Sequence, residues 1–187
     1  MNQSSSDKHA LLFRTLFALL MIALAAALRI APHPRNFSPI GAMALFSGAI
    51  VRDRRLAFVF PLLALFAGDV FVGFHKLMLA VYTSFAISIA IGLWLRRHRT
   101  VTRIGLATLL GAAQFFLITN FAVWRFLDSY PRTAAGLRSC YITGLPLFWN
   151  TLGGDAIYAI LLFGGYALAE RLFPVPNQLG VEVTRGD

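Results

Sequence analysis

Between Ser139 and Asp155 the chain reads Ser-Cys-Tyr-Ile-Thr-Gly-Leu-Pro-Leu-Phe-Trp-Asn-Thr-Leu-Gly-Gly-Asp, which gathers the only cysteine with Tyr141, Trp149, Asn150 and an aspartate. Long apolar segments lie on both sides. Polar and aromatic groups concentrated in such a chain need a purpose that solvation in hydrocarbon does not supply. Candidates of the same kind lie elsewhere: Asn36 and Phe37 after a proline cluster, Asp69 with His75, and Asn120 with Trp124 one helical turn further on. Aromatic faces with a few hydrogen-bonding groups suit a small cyclic or aromatic solute.

Other chemistries lack their residues. The chain holds no His-Glu-x-x-His, no Gly-x-Ser-x-Gly, no Gly-x-x-x-x-Gly-Lys phosphate loop and no dinucleotide glycine fingerprint. It therefore does not itself drive pumping with ATP. His9, His33, His75 and His98 are far apart and give no metal-ligand spacing, so neither a metal nor another cofactor is expected. One cysteine also excludes an intramolecular disulfide framework. Cys140 reads as a small packing residue. A thiolate with His75 as base is the competing role, but nothing local lowers the thiol pKa. The expectation is a protein that is not an enzyme.

Composition identifies the elements that must hold these residues. With 187 residues, 58% hydrophobic and 13% charged, and a mean hydropathy of +0.69, the chain is too apolar for a water-soluble domain. Its partner is the lipid bilayer. The 17 Lys+Arg against 8 Asp+Glu give a net charge of +9. These basic residues fall in short runs between apolar segments, the pattern that orients membrane helices. No basic face on a polar element is present, so nucleic acid is not a partner.

The expected fold is all-α: a polytopic bundle of six transmembrane helices over residues 11–30, 40–51, 56–74, 78–95, 104–126 and 150–171, with both termini in the cytoplasm. Residues 11–172 make one membrane domain between cytoplasmic tails 1–10 and 173–187. A cleaved signal peptide competes with an uncleaved first helix, which is preferred because the apolar run continues to Ile30. Ala23 and Ala27 form a small-residue stripe on that helix, suited to packing within the chain or to docking a partner subunit. Three prolines between Pro32 and Pro39 make a stiff loop before the short second helix. Pro61 is expected to kink the third helix. Tyr82, Ser84 and Ser88 lie on the fourth, and Gln114, Thr119 and Asn120 on the fifth.

On this topology the runs 52–55 and 96–103 lie inside and the candidate site residues gather outside. Asp69 should point inward, toward either a neighbouring helix or a ligand. Trp124 belongs either to the interfacial aromatic belt or to the site. Arg125, Arg132 and Arg138 fall in the outer loop, there to pair with Asp128 or to meet an anionic ligand. Residues before Asn150 are expected to form a lid, with Asp155 near the start of helix six, where the helix dipole favours a carboxylate. Phe66-Ala67-Gly68-Asp69 and Leu152-Gly153-Gly154-Asp155 look like copies. A three-plus-three repeat would put them on opposite faces, and both come out near the outer one, so they read as separate site elements.

Residues 29–46, beginning Arg-Ile-Ala-Pro-His-Pro-Arg-Asn-Phe-Ser-Pro, together with Gly-Asp-Val-Phe-Val-Gly-Phe-His at 68–75, Tyr-Pro-Arg-Thr at 130–133 and Leu-Pro-Leu-Phe-Trp-Asn-Thr-Leu-Gly-Gly-Asp at 145–155, resemble a bacterial inner-membrane family of unknown function. The layout is also similar to the S components of energy-coupling factor vitamin transporters. That resemblance implies an outer pocket closed by loops, capture of a vitamin-like micronutrient, and docking of a coupling membrane subunit with ATPases onto the helix-one alanines. Here Ala23 and Ala27 sit toward the outer half of that helix, a departure from the pattern. A cobalamin-like or thiamin-like solute would fit, with Cys140 as a soft cobalt ligand for a corrinoid. An assembly subunit and a membrane enzyme using Cys140 or Asp155 are the rival readings.

Overall fold

The computed structural model describes residues 3–28 and 36–172. They form α1 (Gln3–Leu28), α2 (Ile40–Ile50), α3 (Arg54–Val72), α4 (Met78–Leu95), α5 (Val101–Phe126) and α6 (Ala134–Leu172), with no strand among the described residues. The all-α class stands. Among the described residues three helices, α4, α5 and α6, are long and apolar enough to cross a membrane. By contrast α2 has 11 residues, a rise of about 16 Å against a hydrocarbon core of about 30 Å. His33 and the prolines at 32 and 34 lie outside the described residues, as do the expected C-terminal tail and the end of the first apolar run.

The short α2 is the centre of the bundle. It is apolar all round, and Ile40 and every residue from Ala42 to Ala49 are buried, as such a helix requires. Helices α1, α3, α4, α5 and α6 all touch it. Its closest neighbour is α4, where Gly48 and Gly92 face each other. A Cβ on either glycine would come within 2.9 Å of the other's Cα, and nearer still to the facing carbonyls of Ile89 and Leu45. Only hydrogen at both positions lets these backbones meet. On the other side Phe46 stands edge-on to Phe163 and Tyr166, with ring centroids 5.3 and 5.8 Å away.

Both ends of α2 need partners for unpaired backbone groups. Arg96, just beyond α4, serves the C-terminal end: its guanidinium donates to Gly48 O at 2.8 Å, Val51 O at 2.5 Å and Arg52 O at 2.9 Å. Burial, and next the charge of Arg54, lower the Arg96 pKa from the usual arginine value. In the core Ser47 Oγ donates to Ala57 O at 2.9 Å. Asp53 caps α3, accepting from the N–H of Arg55 at 2.7 Å and of Leu56 at 3.1 Å.

The main correction concerns the last helix. It begins at Ala134 rather than near Asn150, so Ser139 to Asp155 is continuous helix and not a lid. Asp155 consequently lies deep within α6 rather than in its first turn. Gly144-Leu145-Pro146 suggested a break because proline removes a backbone donor and crowds the carbonyl four residues before it. Helices packed among other helices tolerate proline, and α6 runs through Pro146 for 39 residues, about 58 Å. At its start Thr133 Oγ1 accepts from Gly136 N at 3.1 Å. The first helix likewise starts earlier, at Gln3. It leans on the bundle through the buried Ala18 and Ile22, while Ala23 and Ala27 are exposed beside Leu12, Leu16, Leu20 and Leu24. The alanine stripe therefore does not pack inside this chain.

Candidate functional site

The N-terminal end of α2 has no capping side chain of its own, because the cap position is Pro39. A residue distant in sequence supplies the acceptor. Asp155 Oδ1 accepts from Ala42 N at 2.9 Å, reaching from α6 across to the first turn of α2. Gly41 makes room, since a Cβ there would sit 2.7 Å from Asp155 Cγ. The loop ahead of α2 lies on the same part of α6: a Cβ on Gly154 would be 3.1 Å from Ser38 N and 3.3 Å from Phe37 Cα. Phe37 is tilted against Tyr158 at 6.2 Å. Asn36 carries φ 62°, a left-handed backbone that asparagine tolerates better than most residues.

Beside this junction is a cavity of about 320 Å³, which falls at the small end of small-molecule sites. Asn36, Ser38 and His75 reach it from the loops, and Ser88, Thr151 and Asp155 from α4 and α6. Its apolar walls are Leu65, Val81, Phe85 and Phe115, the last two with ring centroids 5.4 Å apart. Ser88 is fixed by Gln114, whose Nε2 donates to Ser88 Oγ at 3.1 Å, Ser84 O at 2.9 Å and Gly111 O at 3.0 Å. Asp155 is only 4% exposed. Among the described residues the bond from Ala42 is its one hydrogen bond, and no basic side chain pairs with it. The carboxylate thus spends one oxygen on α2 and keeps the other.

Of the residues singled out from sequence, Asn36, His75 and Asp155 come together on this cavity, with Phe37 packed alongside. Asp69 points inward as expected and is 1% exposed, but it serves a helix contact, accepting from Tyr82 Oη at 2.8 Å. His75 Nδ1 accepts from Leu77 N at 3.3 Å in the turn before α4. Asn120, Trp124, Cys140 and Tyr141 instead lie along α5, α6 and the loop that joins them, with Cys140 and Tyr141 tying α6 to α5. Cys140 Sγ donates to Asn120 O at 3.3 Å, Asn120 Nδ2 to Phe116 O at 2.9 Å, Tyr141 Oη to Leu117 O at 2.8 Å, and Trp124 Nε1 to Pro131 O at 2.9 Å. Cys140, 2% exposed, is a packing residue of this seam. Trp149 is 64% exposed against Phe148, and the half-buried Asn150 does not line the cavity. Arg132 pairs with Asp128 at 3.4 Å.

Ser38, Gly41, Ser88 and Thr151 were not read as site residues. Serines and threonines on apolar helices carry little signal, because most return their hydroxyl to a carbonyl one turn back, as Thr151 does to Leu147 O at 3.0 Å. No group of three or more His, Cys, Asp or Glu among the described residues could hold a metal ion.

A larger cleft of about 820 Å³ opens at the arginine end of α4, between α5 and α6. Its walls include Val101, Ile104, Ile160 and Phe163, lipid-type side chains. Of its rim charges, Arg96 holds α2, and Arg99 pairs with Glu170 at 3.3 Å and covers the Tyr166 ring at 5.8 Å. The smaller cavity, with a buried carboxylate, is the better candidate site.

Neither a curated protein nor a solved structure matches the chain. A family model matches residues 9–177, so the chain belongs to the DUF6580 family, a family of unknown function.

Proposed function

We propose that this protein is a membrane-embedded binding or uptake protein for a small, vitamin-sized solute, held in the cavity beside the start of α2. The observation that carries the reading is Asp155: a buried carboxylate with a single hydrogen bond, on a cavity of about 320 Å³ walled by aromatic and aliphatic side chains. Few well-placed polar groups on a mostly apolar concave surface are what fix a small solute. In this reading the chain spans a bacterial inner membrane six times with both termini in the cytoplasm. Residues 52–55 and 96–103 then face inward, and Asn36 and His75 open to the outer side. The exposed Ala23 and Ala27 leave a face of α1 for a coupling subunit with ATPases. No catalytic step is assigned, since Cys140 is occupied in the α5/α6 seam.

A thermal-shift screen of purified protein against vitamins and related micronutrients tests this, with Thr151→Phe as the companion variant. Thr151 lines the cavity from the half-exposed side of α6, so phenylalanine there fills space without cutting a helix contact. At least one solute should raise the melting temperature of the native protein and leave that of the variant unmoved. A screen with no shift in the native protein would sink the proposal, and a stoichiometric protein partner recovered instead would favour an assembly subunit.

A further inference from the structure

We infer that the solute is a small organic cation, an ammonium or amidinium group on a ring-sized apolar body, for which Asp155 is the counter-charge. This rests on the reading of the cavity as a ligand site and adds the chemical class of what fills it.

Three observations converge. First, Asp155 is 4% exposed, makes one hydrogen bond, and has no ion-pair partner among the described residues, whose ion pairs are Arg99–Glu170 and Arg132–Asp128. A buried carboxylate is retained when something compensates it. The Ala42 N–H and the positive end of α2 do part of this at Oδ1. Among the described residues Oδ2 has no hydrogen bond, and a donor carried in by the solute completes the pairing. The backbone bond is kept, so Asp155 joins α2 and the solute at once.

Second, the hydroxyls on the cavity each have a hydrogen-bond partner, and besides Asp155, Asn36 is the one other side chain among the described residues that brings an oxygen to it. Ser88 Oγ accepts from Gln114, Thr151 Oγ1 donates to Leu147 O, and Ser38 Oγ accepts from Ile40 N at 3.4 Å. A calcium or magnesium ion asks for six or more oxygen ligands and usually more than one carboxylate, and this cavity has a single carboxylate. Third, the wall next to these groups is aromatic. Phe85 and Phe115 lie side by side, a surface that packs on a ring and attracts cations through its faces. Among the described residues no lysine or arginine lines the cavity, and the Nδ1 of its one basic side chain, His75, already accepts from Leu77 N.

The test uses the full chain in nanodiscs and three probes of one shape: benzylammonium, benzyl alcohol and benzoate, with sodium chloride at matched ionic strength as the ion control. Calorimetric titration should show benzylammonium binding at least about tenfold tighter than benzyl alcohol, the preference a charge-assisted hydrogen bond supplies. Benzoate should be weakest, and sodium chloride should give no heat of binding. In Asp155→Asn, which keeps an oxygen for Ala42 N, the preference for the cation should fall to about one while benzyl alcohol still binds. If benzyl alcohol or benzoate matches benzylammonium in the native protein, the cavity is a ligand site but the cation assignment is wrong. The same follows if sodium chloride alone gives the binding signal, or if Asp155→Asn folds and keeps the preference. If no probe of any charge binds, the reading of the cavity as a ligand site fails with it. The charge series on the native protein decides the question even if the variant does not fold.

Discussion

Asp155 has two tasks that meet in one carboxylate. One oxygen satisfies the backbone of a helix far away in sequence, and the residue also lines the cavity. Gly41 is the condition for both, because any side chain there would push into the carboxyl group. Gly41→Ala should therefore displace Asp155, break its bond to Ala42, and lower stability by about 1–3 kcal/mol, the cost of a buried donor left unpaired. A melting temperature equal to that of the native protein would show that the close approach is not needed. Asn36, His75 and Asp155 were legible in sequence because polar residues in an apolar chain stand out. Gly41 and Ser88 were not, since their meaning depends on what faces them. The Asn120, Trp124, Cys140 and Tyr141 group looked the same as the site in sequence, yet in the fold each bonds a backbone carbonyl: Cys140 and Tyr141 cross from α6 to α5, Trp124 reaches the loop before α6, and Asn120 bonds within α5.

Among the elements, α2 and α6 define the site. The helix α2 is too short to cross a bilayer, and it ends where Asp155 and the loop 36–39 take over its backbone groups. Its approach to α4 fixes how far apart the cavity walls stand. Gly92→Ala would place a methyl group 2.9 Å from Gly48 Cα and should cost about 1–3 kcal/mol, as overpacking does in a tight contact. Gly105→Ala has nothing within 4 Å and should be neutral or slightly stabilising, since alanine is the better helix former. Equal melting temperatures for the two variants would contradict the packing account. Helix α4 was read to the residue from its apolar run, and α5 within three residues, because a basic cluster separates the two; α5 starts earlier than its apolar run because Thr100 caps it. The start of α6 was missed because Pro146 and the polar residues before it resemble a loop. Their helical state depends on packing against α5, which no local pattern reveals.

At the scale of the whole molecule, long apolar helices surround a small central helix, and the outward faces of α1, α3, α5 and α6 carry exposed leucines, isoleucines and valines. Such a surface is stable in lipid and unstable in water, which the composition alone had indicated. Hydropathy also led to the expectation of six spans, whereas among the described residues three helices meet the length and composition needed; the short α2 shows that composition does not tell a core helix from a spanning one. The proposed function makes the cavity beside Asp155 the place where a polar solute group finds a protein partner. Mass spectrometry of the full chain released from nanodiscs after gentle extraction tests this most directly. The account predicts one small solute per chain, lost from Thr151→Phe and retained by the native protein. A native spectrum with no bound small molecule, under conditions that keep the protein folded, would contradict it.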